Sequence, residues 1–227
     1  MVARALGLGS ELDWLPDDTE EDILGTSIHQ AVIVGLDNFL AYVRQFFGLP
    51  WFIGNQLKLI VPRQGGGTYQ PSPDIIVHAT LGSVYLTSLS VAQHGPPALA
   101  IEIASPGTAR EHDLNTLEPG AKPSAYAQAG IPEYLVYDPT GLVIPGRVRA
   151  WRMGTAGEYE PWQAAADGRW HSALGISFAP ETGGVLLRVY DQTGQLVPTP
   201  LELAAQLAER EARIAELESV LRRQGKG

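Results

Sequence analysis

PPALAIEIASPGT, at residues 96–108, predicts a buried β-strand that carries a single charge. Apolar residues fill its centre, and Glu102 stands between Ile101 and Ile103. An ionised carboxylate among apolar neighbours costs free energy unless a cation or hydrogen-bond donors compensate it. Because charged residues are rarely buried without a partner, Glu102 is the first candidate for a functional residue.

Segments on both sides of this strand predict further strands of one sheet. They are short, rich in β-branched residues and separated by turn residues. They are WFIGNQLKLIV at 51–61, DIIVHAT at 74–80 and EYLVYD at 133–138. Between the strand that carries Glu102 and the strand at 133–138, KPSAYAQAGIPEY predicts a short helix with Pro123 in its first turn and Gly130 at its end. The centre is therefore predicted as strand, helix, strand.

The flanks complete the predicted architecture. Upstream, apolar residues at three- and four-residue steps predict a helix over about 27–47, with Ser27 as its N-cap. Downstream, segments between 146 and 190 predict a second set of antiparallel strands. Their expected core residues are Trp151, Trp162, Trp170 and Phe178. We therefore expect an α/β (α+β) fold with an N-terminal helix, a mixed central sheet, a β-rich C-terminal segment and a terminal helix.

The predicted domain covers residues 1–196, with its core at about 20–140 and a β-rich extension at about 141–196. Residues 197–227 form a separate helical tail. Its seam follows alternating four- and three-residue steps, as in a coiled coil, and consists of Leu203, Leu207, Arg210, Ile214, Leu217 and Leu221. Two interpretations of the tail stay open: self-association, or docking on its own domain.

Composition excludes several classes of protein and site. The 227 residues are 44% hydrophobic, which is enough for a substantial core, and they include no cysteine. Disulfides, thiolate metal sites and cysteine nucleophiles are thus excluded, and the absence of a signal-like or membrane-spanning segment predicts a cytoplasmic protein with no membrane contact. Residues 1–140 hold 6 basic and 15 acidic residues, so we expect only weak nonspecific binding to nucleic acid.

A pair of carboxylates indicates the chemistry. If the strands at 74–80 and 98–104 are neighbours, Asp74 and Glu102 meet at one end of the sheet. Two close carboxylates call for a cation, and oxygen ligands favour Mg²⁺ or Mn²⁺. Lys122 would place an ammonium nearby. Plainer interpretations are that Asp74 is a turn residue and Lys122 is solvated; paired carboxylates would also suit an enzyme that cleaves sugars.

The order of six segments carries a resemblance to a known family. They are TEEDILGTSIHQ (19–30), GNQLKLI (54–60), PSPDIIV (71–77), PPALAIEIASPGT (96–108), KPSAYAQAGIPEYLVYDP (122–139) and the Leu/Glu/Ala/Arg-rich tail. This set resembles the Uma-two family of restriction endonucleases, which belongs to the restriction-endonuclease-like, PD-(D/E)xK superfamily. The resemblance implies a Mg²⁺-dependent or Mn²⁺-dependent nuclease with DNA as its substrate.

The resemblance also implies roles for individual residues. Asp74 matches the Asp of the PD motif, and Glu102 matches the second metal-binding carboxylate. The usual lysine two positions later is replaced by Ala104, and Lys122 matches a lysine that the family supplies from the following helix. Glu21 resembles an N-terminal acid that can join such sites, although it also fits as one more charge in an acidic flank.

Two departures from the family pattern support a different function. About five additional residues separate Asp113 from Lys122, and Pro123 replaces the customary helix former. Both changes would displace the ammonium from the metal site, and small misplacements reduce catalysis strongly. The first hypothesis, which rests on the carboxylate pair and the family resemblance, is a Mg²⁺-dependent endonuclease acting as a homo-oligomer, most simply a dimer. The alternative is a catalytically silent module that assembles through its C-terminal helix.

Overall fold

A computed structural model describes residues 20–63, 66–105 and 122–224, with side chains in the first helix described from Ser27 onward. Glu21 lies in the first turn of that helix, and its side chain is outside the described part. The segment between Ser105 and Lys122 that contains Asp113 is likewise outside the described residues. Within the described part, helices at both ends enclose a region of mixed strands and short helices.

The helices are α1 (Glu20–Phe46), α2 (Val91–His94), α3 (Lys122–Gln128) and α4 (Pro200–Gln224). The strands are β1 (Phe52–Asn55), β2 (Lys58–Pro62), β3 (Thr68–Tyr69), β4 (Ile75–His78), β5 (Ser88–Ser90), β6 (Leu99–Ile103), β7 (Glu133–Tyr137), β8 (Val148–Met153), β9 (Tyr159–Pro161), β10 (Trp170–His171), β11 (Ser177–Pro180) and β12 (Leu187–Tyr190). The predicted α/β fold with its N-terminal helix, mixed central sheet and terminal helix is confirmed.

The central sheet has six strands in the order β1-β4-β6-β7-β8-β9. Strands β6 and β7 are parallel and are connected through α3, as the predicted strand, helix, strand order requires. The other neighbours in this sheet are antiparallel. Strands β6 and β7 are buried along their whole lengths, so the centre of the sheet is covered on both faces.

The strand predicted over 51–61 is wrong, because it is two strands in different sheets. Gln56 has a positive φ of 48°, which turns the chain between β1 and β2. Strand β1 then pairs with β4 in the central sheet, whereas β2 lies between β3 and β5 in a small separate sheet. The backbone N–H of Gln56 donates to the carbonyl of Asp74, so this turn also abuts the start of β4.

The second set of strands predicted over 146–190 is only half correct. Strands β8 and β9 extend the central sheet, and only β10, β11 and β12 form a separate antiparallel sheet. Of the predicted core residues, Trp151, Trp162 and Phe178 are buried, whereas Trp170 is half-buried and packs against the core. The predicted β-rich segment therefore exists, divided between two sheets.

Helix α1 begins earlier than predicted. It starts at Glu20 rather than after Ser27, so the assignment of Ser27 as an N-cap is wrong. Acidic residues favour the first turn of a helix because they complement its dipole, and Glu20, Glu21 and Asp22 all lie there. The apolar spacing marked the buried part of the helix and not its beginning. The helix ends near Gly48, whose φ is +64°.

Two apolar layers cover the faces of the central sheet. On one face, α1 and the β10–β12 sheet contribute Leu36, Phe39 and Phe178 to a core with Ile101. On the other face, α3 packs over the sheet through Tyr126, which contacts the ring of Tyr134 edge-on. The candidate site lies where this second layer reaches the ends of β4 and β6.

Helix α4 follows the last strand as a long helix, and none of its residues is buried. Its first turn is attached to the body, since Glu202 pairs with the buried Arg188 at 2.7 Å between Oε2 and Nη2. No helix in the described ranges is long and apolar enough to cross a membrane.

Candidate functional site

The sheet brings the two predicted carboxylates together. Strands β4 and β6 are antiparallel neighbours with Ile75 opposite Ile101, so Asp74 and Glu102 occupy the next opposed position. Residues opposed in this way project from the same face of a sheet. The backbone N–H of Ile103 donates to Asp74 Oδ2 at 2.8 Å, which fixes the Asp74 carboxylate against the end of β6.

Glu102 is the more deeply buried carboxylate, with 1% of its surface exposed. Both of its oxygens accept hydrogen bonds from α3: the Tyr126 hydroxyl donates to Oε1 at 2.5 Å, and Lys122 Nζ donates to Oε2 at 3.2 Å. Burial raises the pKa of Glu102 to about 7, against the lowering effect of Lys122 and with a further increase from the Asp74 charge. A cation is therefore the natural complement to this group.

The start of α3 positions the lysine. Lys122 is the first residue of the helix, and Pro123 follows it at a position where a helix needs no backbone N–H. Pro123 is buried, whereas the Lys122 side chain keeps 22% of its surface exposed. The long connection and Pro123 therefore do not displace the ammonium, which lies beside Glu102.

Asp74 is held by His29, a residue to which no sequence pattern assigns a role. His29 Nε2, from α1, lies 3.1 Å from Asp74 Oδ2. Burial would raise the pKa of Asp74, but the hydrogen bonds from His29 and from the Ile103 N–H outweigh it, so this pKa is lowered. The same hydrogen bond raises the pKa of His29. Asp74 is thus kept ionised while Glu102 resists ionisation.

Tyr126 is the second site residue without a predicted role. Burial and the adjacent Glu102 carboxylate raise the pKa of its hydroxyl, so it acts as a hydrogen-bond donor. Tyr126 lies one helical turn after Lys122, which is a usable sequence signal, whereas His29 lies within the segment 19–30 without any local pattern that links it to Asp74. The structure brings together Asp74, Glu102 and Lys122 of the predicted set, while the Glu21 side chain is outside the described residues.

The oxygen-rich end of this site fits a hard divalent cation. The two hydrogen bonds that described residues make to the Asp74 carboxylate both fall on Oδ2, so a further ligand would bind at Oδ1. In the described ranges, no three acidic or histidine side chains gather closely enough to hold a metal by themselves. Mg²⁺ commonly binds one or two carboxylates and completes its shell with water and phosphate oxygens, so two carboxylates suffice.

The chain is similar to a known protein family and to a solved structure. The model of the Uma2 family, described as "Putative restriction endonuclease", matches residues 23–179 and so includes Asp74, Glu102 and Lys122. Among solved structures, the chain is similar to "a putative nuclease belonging to DUF820" from Anabaena variabilis, with 16% identity and a TM-score of 0.41. That similarity covers 60% of this chain and 66%, just under two thirds, of the Anabaena chain. No curated protein matches the chain significantly.

Proposed function

Because this chain belongs to the Uma2 family of restriction-endonuclease-type proteins, we propose that it is a metal-dependent endonuclease acting on DNA. The observation that carries this proposal is the pair of buried carboxylates on adjacent strands, with the Lys122 ammonium 3.2 Å from one of them. Neither a turn residue nor a solvated lysine explains that arrangement. Burying two acids and one base reduces the free energy of unfolding, and proteins retain such clusters mainly at functional sites.

Asp74 and Glu102 would hold Mg²⁺ or Mn²⁺, which supplies Lewis acidity toward a phosphate oxygen. His29 and the Ile103 N–H orient the Asp74 carboxylate, and the Tyr126 hydroxyl orients that of Glu102. Lys122 Nζ, within reach of Glu102 and still partly exposed, would orient the attacking water and stabilise negative charge on the phosphate. Glu21, at the start of α1, is retained as a candidate acid of the same site.

The choice of metal follows from the ligand atoms. Both predicted ligands are carboxylates, and the chain contains no cysteine. Oxygen ligands favour Mg²⁺ and Mn²⁺ over the softer metals that thiolates select. We therefore expect activity with either ion and none in EDTA.

The test is cleavage of supercoiled plasmid in Mg²⁺, in Mn²⁺ and in EDTA, with single-stranded DNA and RNA as further substrates. The variants are Asp74→Asn, Glu102→Gln and Lys122→Ala, and Asp191→Asn in an exposed turn is the matched control. We expect metal-dependent nicking by the parent and the control, with a loss of about 10²-fold or more in each site variant. Activity that survives in the site variants would come from a contaminant and would contradict the proposal.

Helix α4 favours one alternative, a silent module that uses the nuclease fold for assembly. Its seam residues Leu207, Ile214 and Leu221 are exposed, although leucine and isoleucine at these spacings are typical of a paired helix. We propose that α4 is a separate module in which two copies of the chain associate. No cleavage by the parent of any substrate in either metal, together with intact dimerisation, would favour the silent module over the endonuclease.

A further inference from the structure

An acidic nuclease needs a defined cationic contact for its substrate. The β-rich segment offers four arginines as candidates for phosphate contacts, namely Arg147, Arg149, Arg152 and Arg169, and they differ in the contacts that they make within the protein. Arg147 donates to the carbonyls of Pro139 and Glu181, and Arg152 pairs with Glu133. Arg169 pairs with Asp167 and also lies over the ring of Tyr190. These three guanidinium groups are committed to contacts within the protein.

Arg149 differs from the other three. It is exposed on β8, and its side chain has no hydrogen bond or ion pair with any residue in the ranges 20–63, 66–105 and 122–224. A charged side chain without an internal partner contributes little to the fold, and it remains available to an anion. Its position relative to the carboxylates then decides whether that anion could be part of the substrate.

The strand register places Arg149 in line with the site. Glu102 of β6 is opposite Val136 of β7, and Val136 is opposite Arg149 of β8. Opposed residues share a face of the sheet, so Arg149 and Glu102 project from the same face. Adjacent strands are about 4.8 Å apart, which puts the two backbones roughly 10 Å from one another. The arginine side chain can shorten or extend that distance at its charged end.

We propose that Arg149 binds a backbone phosphate of the nucleic acid, one to three nucleotides from the phosphate that is cleaved. This inference rests on the proposed nuclease function. Successive phosphates of a strand are separated by about 3.4 Å along a duplex axis, so a separation of roughly 10 Å spans a few nucleotides. A planar guanidinium can donate two parallel hydrogen bonds to one phosphate, which fixes the strand as well as attracting it. Arg149 is thus a substrate-positioning residue.

The test compares Arg149→Ala, Arg149→Lys and Arg222→Ala in the full chain. Arg222 is an exposed arginine on α4 that pairs with Glu218 of its own helix, so its loss changes the net charge by the same amount as the loss of Arg149. Binding of a short fluorescein-labelled DNA duplex, and of its single strand, is followed by anisotropy across a salt series in Ca²⁺, which oxygen ligands also accept. Cleavage in Mg²⁺ is measured on the same DNA as kcat and KM.

We expect Arg149→Ala to weaken binding roughly tenfold and to reduce the slope of log affinity against log salt by about one unit. KM should rise with little change in kcat, because the contact is made in the ground state and in the transition state alike. Arg149→Lys should recover much of the salt slope, and Arg222→Ala should resemble the parent.

Two failures are distinguishable. If the parent cleaves DNA and Arg149→Ala has the same affinity, salt slope and KM as Arg222→Ala, the role of Arg149 is overturned and the nuclease function stands. If the parent neither binds nor cleaves DNA or RNA, the proposed function fails, and the role of Arg149 fails with it.

Discussion

At the scale of single residues, Glu102 and Asp74 are two carboxylates of one site whose environments shift their pKa values in opposite directions. Burial opposes the charge of Glu102 and raises its pKa to about 7. Asp74 receives hydrogen bonds from His29 and from the Ile103 N–H, which lower its pKa despite burial. The same substitution, acid to amide, should therefore have opposite effects on stability at these two positions.

We expect Glu102→Gln to raise the melting temperature by a few degrees in metal-free buffer near pH 8, since it removes a charge that burial disfavours. Asp74→Asn should lower the melting temperature, because the amide replaces the charged acceptor of two hydrogen bonds. Both variants should lose Mg²⁺ binding in isothermal titration calorimetry. The measurement is thermal unfolding in EDTA, and equal destabilisation by both variants would contradict the assigned environments.

The site residues differ in how far the sequence could predict them. Glu102 was predictable because a charge inside an apolar strand is a local signal that needs no tertiary information. The role of His29 depends on Asp74, which is 45 residues away in the chain, and no local pattern encodes that contact. Tyr126 is an intermediate case: its spacing from Lys122 places it on the same side of α3, but only the strand order shows that Glu102 lies beneath.

At the scale of elements, Asp138 organises the connection between β7 and β8. It is fully buried at the end of β7. Its Oδ1 accepts the backbone N–H groups of Thr140 and Gly141, and its Oδ2 accepts those of Val143 and Ile144. Burial alone would raise the pKa of Asp138, but these hydrogen bonds outweigh it and lower the pKa below 3.8. The Asp138 carboxylate thus accepts hydrogen bonds from backbone N–H groups that have no neighbouring strand to donate to.

We expect Asp138→Asn to destabilise the protein by about 1–3 kcal/mol at neutral pH, because an amide offers one acceptor oxygen for bonds that now use two. Since the pKa is lower in the folded state than in the unfolded state, the advantage of the parent is complete well above pH 3.8. It should shrink as pH falls below that value. Chemical denaturation of both proteins from pH 7 to pH 3 checks this, and a stability difference that grows toward low pH would refute it.

Elements were easier to predict than their partners. The strands around β6 are predicted from composition and turn residues, whereas the pairing of β4 with β6 enters the sequence prediction only as a condition. The sequence 51–61 is typical of one strand, because the break between the two strands depends on the positive φ of Gln56. Glutamine rarely adopts a positive φ, so its presence does not indicate a turn. The sheet that a strand joins depends on contacts across the chain, so β8 and β9 could not be assigned to the central sheet from local pattern alone.

At the scale of the whole molecule, α4 is a helix whose apolar residues are not buried against the rest of the described chain. Thr199 and Glu202 cap each other's backbone N–H groups around Pro200, and Glu202 also pairs with Arg188, so the beginning of the helix is fixed on the body. The remaining turns are exposed. In the dimer proposed above, a second copy of the chain would bury this seam.

The charges beside the seam favour parallel pairing. With Leu207 and Ile214 at a positions, Arg213 falls at a g position and Glu218 at the following e position. In a parallel dimer, Arg213 would face Glu218 of the partner subunit, whereas antiparallel pairing would bring like charges together. Arg210 is the exception within the seam, since it puts a charge at a d position and weakens the association.

The prediction is a parallel dimer of 24.4 kDa chains that depends on the α4 seam. Cutting the chain before α4 would remove Glu202 and leave Arg188 with Glu181 as its remaining acidic partner, so full-length point variants are preferable. Ile214→Glu should yield monomers in light scattering, because it places like charges face to face in the seam. Leu201→Glu makes the same change outside the seam and should remain dimeric, while Arg210→Leu should tighten the dimer. A parent that is monomeric at all concentrations would show that α4 does not join two copies, and a dimer that survives Ile214→Glu would place the interface on another surface.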